Sequence, residues 1–246
     1  MDLKADEATR AAILDLIENS INRKYFKESR LDAFFEQCFS LMEPDKLMAE
    51  KAFYNFVYYD LKQLMQLVNK PDHLTNFTKF VVFFKVDEDP ELFELITETV
   101  CQRIMMFSVD ELLTVLANMS QTLSPATKEV FKVVNEEFIK RVSTDYIPPS
   151  LDLIFKPEDL LKVTTTMLEY NQMHDGLKEA IIDFLSARMH HLTYETTSEL
   201  AVIFAVRMDD NYKKQFFAKM IDKFLKELRY LKDETLYKIV WSLVKS

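Results

Sequence analysis

Glycine is nearly absent from this chain. Among its 246 residues only Gly176 is a glycine, whereas average usage of about 7% predicts many more. The tight turns of β-hairpins need residues at positive φ, which glycine adopts most readily. The shortage therefore predicts an all-α fold whose short turns lack glycine. It also excludes the glycine-rich dinucleotide-binding fingerprint, the P-loop and the G-x-S-x-G nucleophile elbow.

Cysteine is also scarce. Cys38 and Cys101 are the two cysteines, and they form neither a C-x-x-C motif nor the spacing of a disulfide framework. Because both sit among apolar neighbours, we expect buried free thiols in a reducing compartment. The N-terminal sequence MDLKADEATR lacks the apolar core of a secretory signal, so secretion is not expected.

Long apolar runs are missing as well. The longest one near the middle, residues 80–84, is far shorter than the ~20 residues of a membrane-spanning helix. We therefore expect no transmembrane segment, while peripheral association with a membrane stays open. The chain is nevertheless rich in core-forming residues, with 48% hydrophobic residues and 20 phenylalanines, which is typical of a folded protein.

The charge of the chain is acidic. The net charge is −9 at pH 7 and the isoelectric point is about 5.1. Nucleic acids and anionic membranes bind clustered lysines and arginines, so the overall charge disfavours both as main partners. The expected partners are other protein subunits of a hetero-oligomeric complex, and RNA is a possible but disfavoured partner.

Similar segments recur along the chain. FSVDELLTV begins at residue 107 and FKPEDLLKV at residue 155. Each opens with an aromatic residue, continues with two acidic residues and a leucine pair, and carries signals for the start of a helix. A recurring segment of this kind indicates structural repeats. Looser versions give a full set of starts at residues 26, 69, 107, 155, 192 and 231, the last three 37 and 39 residues apart.

A second helix start follows in several of these segments. Asp89-Pro90 and Ser124-Pro125 each place a capping residue before a proline at the first helical position. Apolar residues then recur at helical spacing. Neither helix could bury its apolar stripe alone, so we predict a right-handed α-solenoid of about five two-helix repeats, with an irregular helical bundle as the alternative. The three stripes are Phe93, Ile96, Val100 and Ile104; Phe131, Val134, Phe138 and Val142; and Phe217, Ile221, Phe224 and Leu228.

The repeats suggest a single α-solenoid domain over residues 1–246. Residues 1–25 would form a capping helix, residues 26–230 the repeats, and residues 231–246 a terminal half repeat. An insertion at residues 146–154 lengthens the interval before the segment at 155. Its Pro148-Pro149 pair cannot lie within a helix, so we interpret it as a surface loop or a partner contact.

Catalytic and metal-binding patterns are not recognisable in the sequence. His190 and His191 are adjacent, so on a helix they would point about 100° apart and could not bind one metal together. The acid pairs Asp110-Glu111 and Asp209-Asp210 stand at helix starts, where the helix dipole favours them. The sequence therefore predicts no enzyme, no cofactor and no metal site.

Two further places are candidate partner contacts. Lys219, Lys223 and Lys226 would share one face of a helix, which could be solvated, meet an acidic protein, or contact phosphates of RNA or lipid. Trp241 and Leu243 make the C-terminal end apolar, unlike the polar face of a terminal repeat, so we expect another protein to cover it. With the insertion, the candidate contacts are Pro148, Pro149, Lys219, Lys223, Lys226, Trp241 and Leu243.

The repeated segments resemble the degenerate helical repeats of organellar proteins. FSVDELLTVLANMSQTLSPATKEVFKVV (107–134) and FKPEDLLKVTTTMLEY (155–170) are similar to those of the octotricopeptide, heptatricopeptide and FAST-kinase/RAP-type families, over roughly residues 69–246. The resemblance implies an α-solenoid in a mitochondrion that binds RNA or serves as a scaffold. The acidic charge and the lack of a recognisable RAP domain favour the scaffold.

The functional hypothesis is therefore a non-catalytic scaffold, a structural or assembly subunit of a large protein complex. By the resemblance its expected location is mitochondrial, with the cytoplasm as the other location. The alternative hypothesis is an organellar RNA-binding repeat protein that acts in RNA processing or translation.

Overall fold

A computed structural model describes residues 3–21, 30–61, 63, 65, 68, 70–86, 90–122, 124–143, 145, 147–150, 153–225 and 230–246. Within these ranges the regular structure is helical and there is no strand, which confirms the predicted all-α class. Over the same residues, no helix combines the length and apolarity that crossing a membrane would require.

The chain forms two compact units, Met1–Val130 and Phe131–Ser246. The first contains α1 to α7, and α8 includes the boundary. The second contains α9 to α13. The predicted single-domain organisation stays a prediction. The helices are α1 Leu3–Ile21, α2 Leu31–Phe39, α3 Pro44–Met48, α4 Lys51–Asn55, α5 Pro71–Phe83, α6 Pro90–Arg103, α7 Val109–Met119, α8 Ala126–Val142, α9 Pro157–Glu169, α10 Asp175–Arg188, α11 Tyr194–Arg207, α12 Asp210–Leu225 and α13 Asp233–Lys245.

Helix starts follow the predicted segments closely. The segments that begin at residues 107, 155, 192 and 231 each lead into a helix two residues later, at Val109, Pro157, Tyr194 and Asp233. Residues 26 and 69, the other two predicted starts, lie outside the described residues, although α5 begins at Pro71. The predicted positions of the helix starts are thus confirmed where the structure describes them.

Local capping explains these starts. The predicted capping box of α7 is present, since the Glu111 N–H donates to Ser108 Oγ at 3.3 Å and the Ser108 N–H donates to Glu111 Oε2 at 2.6 Å. In α9, Pro157 occupies the first turn, and the Lys156 N–H donates to the Asp159 carboxylate at 2.9 Å. Both arrangements satisfy backbone donors that the first helical turn leaves without partners.

The first unit is built around phenylalanine. Phe80 is fully buried, and the centre of its ring lies 5.9 Å from that of Phe34 and 4.6 Å from that of Phe84. Such ring pairs add to the stabilisation from buried area. The contacts join α2, α4, the π-helical turn Phe56–Asp60 and α5 into one core. Its rings are Phe34, Phe35, Phe39, Phe53, Phe56, Phe77, Phe80, Phe83 and Phe84.

Alternate helices pack together in the second unit. α11 packs against both α9 and α13, and α10 packs against α12. α11 also contacts α12, the next helix in the chain. We call α9, α11 and α13 the A helices, and α10 and α12 the B helices. Each A helix thus packs against the A helix that follows it.

Polar contacts in the second unit span about one sequence period. Lys232 Nζ donates to Glu195 at 3.1 Å, across 37 residues, and Lys238 Nζ donates to Glu199 at 2.7 Å, across 39 residues. The first pair joins the starts of α13 and α11, and the second joins residues near the middle of both helices. The two A helices therefore run in the same direction.

A glycine-free turn follows α9. Asn171 adopts a left-handed conformation with φ of 54°, and the next residue, Gln172, donates its N–H to the Met167 carbonyl at 2.8 Å. This is the Schellman pattern that glycine usually completes. Asparagine tolerates the left-handed region better than most residues, which explains how the chain ends α9 without glycine.

Two predicted apolar stripes are confirmed and one needs correction. The side chains of the first two stripes are buried on α6 and α8, with Ile104 in the short 3-10 turn that follows α6. The third stripe is wrong at Ile221, which is exposed, because α12 turns Phe216 and Met220 inward with Phe217 and Phe224. Leu228 lies outside the described residues.

The N-terminal helix and the cysteines depart from prediction in details. α1 runs over Leu3–Ile21 and buries Ile13 and Ile17, while the rest of the predicted helix, residues 22–25, lies outside the described residues. Cys38 is buried as predicted, but Cys101 is half-buried. Burial raises the pKa of the Cys101 thiol to about 11, and Glu129 and Glu98 add to this.

Candidate functional site

The insertion at residues 146–154 is not helical where residues 147–150 are described. Pro148 is half-buried and Pro149 is exposed. Ile147 beside them is almost fully exposed, whereas Leu153 is buried. The insertion thus exposes most of its described residues and buries the leucine near its end. Its role as a partner contact stays a prediction.

The predicted lysine face consists of side chains in different surroundings. Lys219 is exposed and Lys223 is half-buried, while Lys226 lies outside the described residues. The Lys223 ammonium donates to the carbonyls of Met189 at 2.9 Å and Leu192 at 2.5 Å. Burial lowers the pKa of Lys223. Lys223 therefore ties α12 to the backbone before α11.

The C-terminal helix carries the apolar surface that the sequence suggested at Trp241 and Leu243. Trp241 is half-buried and Leu243 is exposed. The buried side of α13, where α11 packs, includes the polar residues Thr235 and Ser242. The side turned to solvent carries apolar side chains beside the exposed charged residues Asp233, Glu234 and Lys245. Its exposed apolar residues are Leu236, Tyr237, Val240, Leu243 and Val244.

Part of this surface faces directly away from α11. Successive residues of a helix are about 100° apart, so Tyr237 lies about 200° from Thr235 and Val244 about 200° from Ser242. Val240 lies between Tyr237 and Val244 in the chain and on the same side. We call Tyr237, Val240 and Val244 the outer face of α13. Sequence reasoning found neither Tyr237 nor Val240, although comparing positions one period apart could have found them.

A surface depression lies next to the outer face. It has a volume of about 270 Å³ and is lined by Val202, Tyr237, Lys238 and Trp241. The Lys238 ammonium donates to Glu199 at 2.7 Å and lies 2.9 Å from the Glu234 carboxylate. These hydrogen bonds raise the pKa of Lys238. Because two carboxylates hold the lysine, the depression presents mainly apolar walls.

The first unit contains a carboxylate–imidazole cluster that sequence reasoning missed. His73 is fully buried, and its Nε2 lies 2.9 Å from Asp32 Oδ1. Asp72 Oδ1 accepts the His73 backbone N–H at 2.9 Å. Ligand atoms of the three residues lie within 4.8 Å of one another, and such donors suit divalent metals. The same contacts also account for the cluster as a polar link between α2 and α5.

Comparison with known proteins gives no match. No protein-family model, no curated protein and no solved structure matches the chain. The resemblance to organellar helical-repeat families therefore stays a prediction from the sequence. The outer face of α13 is the candidate site on which the functional argument depends.

Proposed function

We propose that the chain is a non-catalytic α-solenoid scaffold that serves as a structural or assembly subunit of a large protein complex. The observation that carries the proposal is the apolar outer face of α13, where Tyr237 and Val244 are largely exposed. Contiguous exposed apolar surfaces mark sites of interaction with other proteins. A scaffold needs such a surface and needs no catalytic groups.

The solenoid is supported by the packing of the second unit. A helices pack on A helices and B helices on B helices, and the contacts Glu195–Lys232 and Glu199–Lys238 each join residues about one period apart. Stacked repeats produce this pattern, because each repeat mainly contacts its neighbours. An irregular bundle has no reason to keep the same separation.

The location that we propose is mitochondrial, on the strength of the family resemblance. The alternative function, RNA binding, depends on a basic surface. Lys223 donates to backbone carbonyls within the chain, and Lys213 lies 3.5 Å from Asp210, which leaves less positive charge for phosphates. These contacts favour protein partners over RNA.

Native sizing tests the proposal. We expect the endogenous chain from gently lysed cells to migrate as a complex well above its own mass of 29.1 kDa, and mass spectrometry to find the same protein partners at each purification step. Ribonuclease treatment should leave the size unchanged. Migration at the mass of a monomer would contradict the scaffold function, and a ribonuclease-dependent size would favour the RNA-binding alternative.

A further inference from the structure

Matched positions in α11 and α13 differ sharply in burial. α11 begins at Tyr194 and α13 at Asp233, so each residue of α11 corresponds to the residue 39 positions later. The outer face of α13 matches Ser198, Ala201 and Ala205 of α11, which are all buried. Their exposed fractions are 1%, 0% and 4%, against 69%, 52% and 81% for Tyr237, Val240 and Val244.

The helices that follow α11 explain this difference. α11 packs against α9 before it in the chain and against α12 and α13 after it. The side of α13 that corresponds to the contact with the preceding A helix is buried against α11. The outer face of α13 therefore corresponds to the part of α11 that later helices cover. By the logic of stacked repeats, a further helix would fit there.

Charge indicates which helix would fit. Lys232, directly before α13, donates to Glu195 of α11 at 3.1 Å. The residue of α13 that matches Glu195 is Glu234, which is exposed. A helix that stacked on α13 as α13 stacks on α11 would bring the residue before its first turn to Glu234. The exposed Glu234 carboxylate already lies 2.9 Å from Lys238 of its own helix, and a lysine or arginine at that position would be its second cationic partner.

Resting on the proposed scaffold function, we propose that the outer face of α13 docks an amphipathic helix of another protein. That helix runs parallel to α13, packs an apolar stripe on Tyr237, Val240 and Val244, and carries a cation just before its first turn that meets Glu234. The neighbouring depression beside Trp241 receives an apolar side chain of the same helix.

A second copy of this chain fits less well. In a pair of α13 helices from two copies, the cation before the first turn would be Lys232, which already donates to Glu195 of its own chain at 3.1 Å. The helix α1 of a second copy would present the exposed residues Glu7, Asp15 and Glu18. These acids offer neither an apolar stripe nor a cation for Glu234. Charge therefore favours a different protein.

Photo-crosslinking at defined positions tests the inference. Full-length chains with a photoreactive phenylalanine at Tyr237 or at Val244 are expressed in cells, irradiated, and analysed by mass spectrometry of the crosslinked peptides. We expect both positions to label one helical segment of another protein. Tyr237 should label its N-terminal half and Val244 its C-terminal half, as a parallel helix requires. The same label at Lys214, exposed on α12, is the control and should not label that segment.

Other results would overturn the inference. Labelling in the reverse order, adducts between two copies of the chain, adducts within one chain, or equal labelling from Lys214 would each contradict a parallel partner helix on the outer face. A charge reversal gives an independent check. Glu234→Lys should reduce the yield of the Tyr237 adduct at least several-fold, whereas Asp233→Lys, one residue earlier in α13, should reduce it less.

Failure of the inference can be told apart from failure of the proposed function. If native sizing shows a large complex but neither Tyr237 nor Val244 crosslinks to a partner helix, the scaffold function stands and the docking inference fails. If the chain migrates as a monomer, the function itself fails.

Discussion

Phe80 in the first unit is surrounded by phenylalanine rings, whereas Asn135, equally buried in the second unit, makes three hydrogen bonds. Its Nδ2 donates to the carbonyls of Phe131 and Gln172, both at 2.8 Å, and its Oδ1 accepts the His174 N–H at 3.0 Å. The burial of apolar rings does not require one particular orientation of the side chains, whereas a hydrogen bond requires a fixed distance and angle between its donor and acceptor.

The two kinds of core match the regularity of the two units. The first unit contains the five-residue helices α3 and α4 and a π-helical turn. The second unit alternates A and B helices of 13 to 16 residues. Hydrogen bonds that span about one period join helices in both units, and the phenylalanine core of the first unit adds contacts that require no fixed direction.

The largest expected effect is on the phenylalanine core. Phe80→Ala should lower the free energy of unfolding by about 3–5 kcal/mol, because it removes a fully buried ring and leaves a cavity. Urea denaturation measures this change, and faster alkylation of the buried Cys38 would place the loss in the first unit. Phe83→Ala, at a half-buried ring, is the control and should cost clearly less. Equal losses would contradict a core centred on Phe80.

The second effect concerns the hydrogen bonds of Asn135. Asn135→Ala should cost about 1–3 kcal/mol, since it leaves the His174 N–H and the Gln172 carbonyl without this partner. Asn118→Ala in the first unit is the comparison, because the Asn118 side chain donates to the Thr78 hydroxyl at 2.9 Å, and without Asn118 that hydroxyl retains its own hydrogen bond to the Thr75 carbonyl at 2.7 Å. Chemical denaturation should show the smaller loss for Asn118→Ala. The opposite order would argue against a second unit that depends more on polar contacts.

Substitution of Lys223 should have a smaller effect on the free energy of unfolding, and this effect should depend on pH. Lys223→Met should cost about 1–2 kcal/mol at neutral pH, because the carbonyls of Met189 and Leu192 lose a donor. Lys219→Met, at an exposed lysine, is the control and should change stability little.

The sign of the pH dependence follows from burial. Burial lowers the pKa of Lys223 below its usual 10.5, so between the lowered pKa and 10.5 the unfolded chain binds more protons than the folded one. The stability of the wild type relative to Lys223→Met should therefore rise with pH in this alkaline window. Urea denaturation of both proteins at pH 8 and pH 10 measures it, and a falling difference would contradict the burial of the ammonium group.

The smallest expected effect on stability comes from substitutions at two left-handed turn residues, one in each unit. Lys85 in the first unit and Asn171 in the second both have φ of 54°. Lys85→Gly should raise the free energy of unfolding by about 0.5–1 kcal/mol, because glycine adopts this conformation without strain but loses more entropy on folding. Lys85→Ala, which retains the strain, should not stabilise, and Asn171→Gly should gain less than Lys85→Gly. Thermal denaturation measures these changes in stability. A larger gain from Asn171→Gly than from Lys85→Gly would contradict the prediction.

Helix starts could be predicted from the sequence because their causes are local. Pro157 and the Ser108–Glu111 pair act within one helical turn, so the sequence contains what is needed to recognise them. The same holds for the all-α class, which the shortage of glycine predicts.

Contacts between distant residues could not be predicted in this way. The link between His73 and Asp32 joins residues 41 positions apart, and Lys223 looks like a surface lysine until the carbonyls before α11 come close. The exposure of Ile221 likewise depends on how α12 is rotated against its neighbours. Local spacing identifies a helix face, but the neighbouring helices decide which face is buried.

The size of the native complex after a single substitution tests the central claim most directly. Val240→Asp places a charge on the outer face of α13, and Val206→Asp makes the same change at an exposed valine of α11. Both variants should fold with unchanged helical content. If the outer face is the scaffold's docking surface, Val240→Asp should move the chain from the large complex to its own mass, while Val206→Asp remains in the complex. A complex that retains Val240→Asp as fully as the wild type would contradict the account.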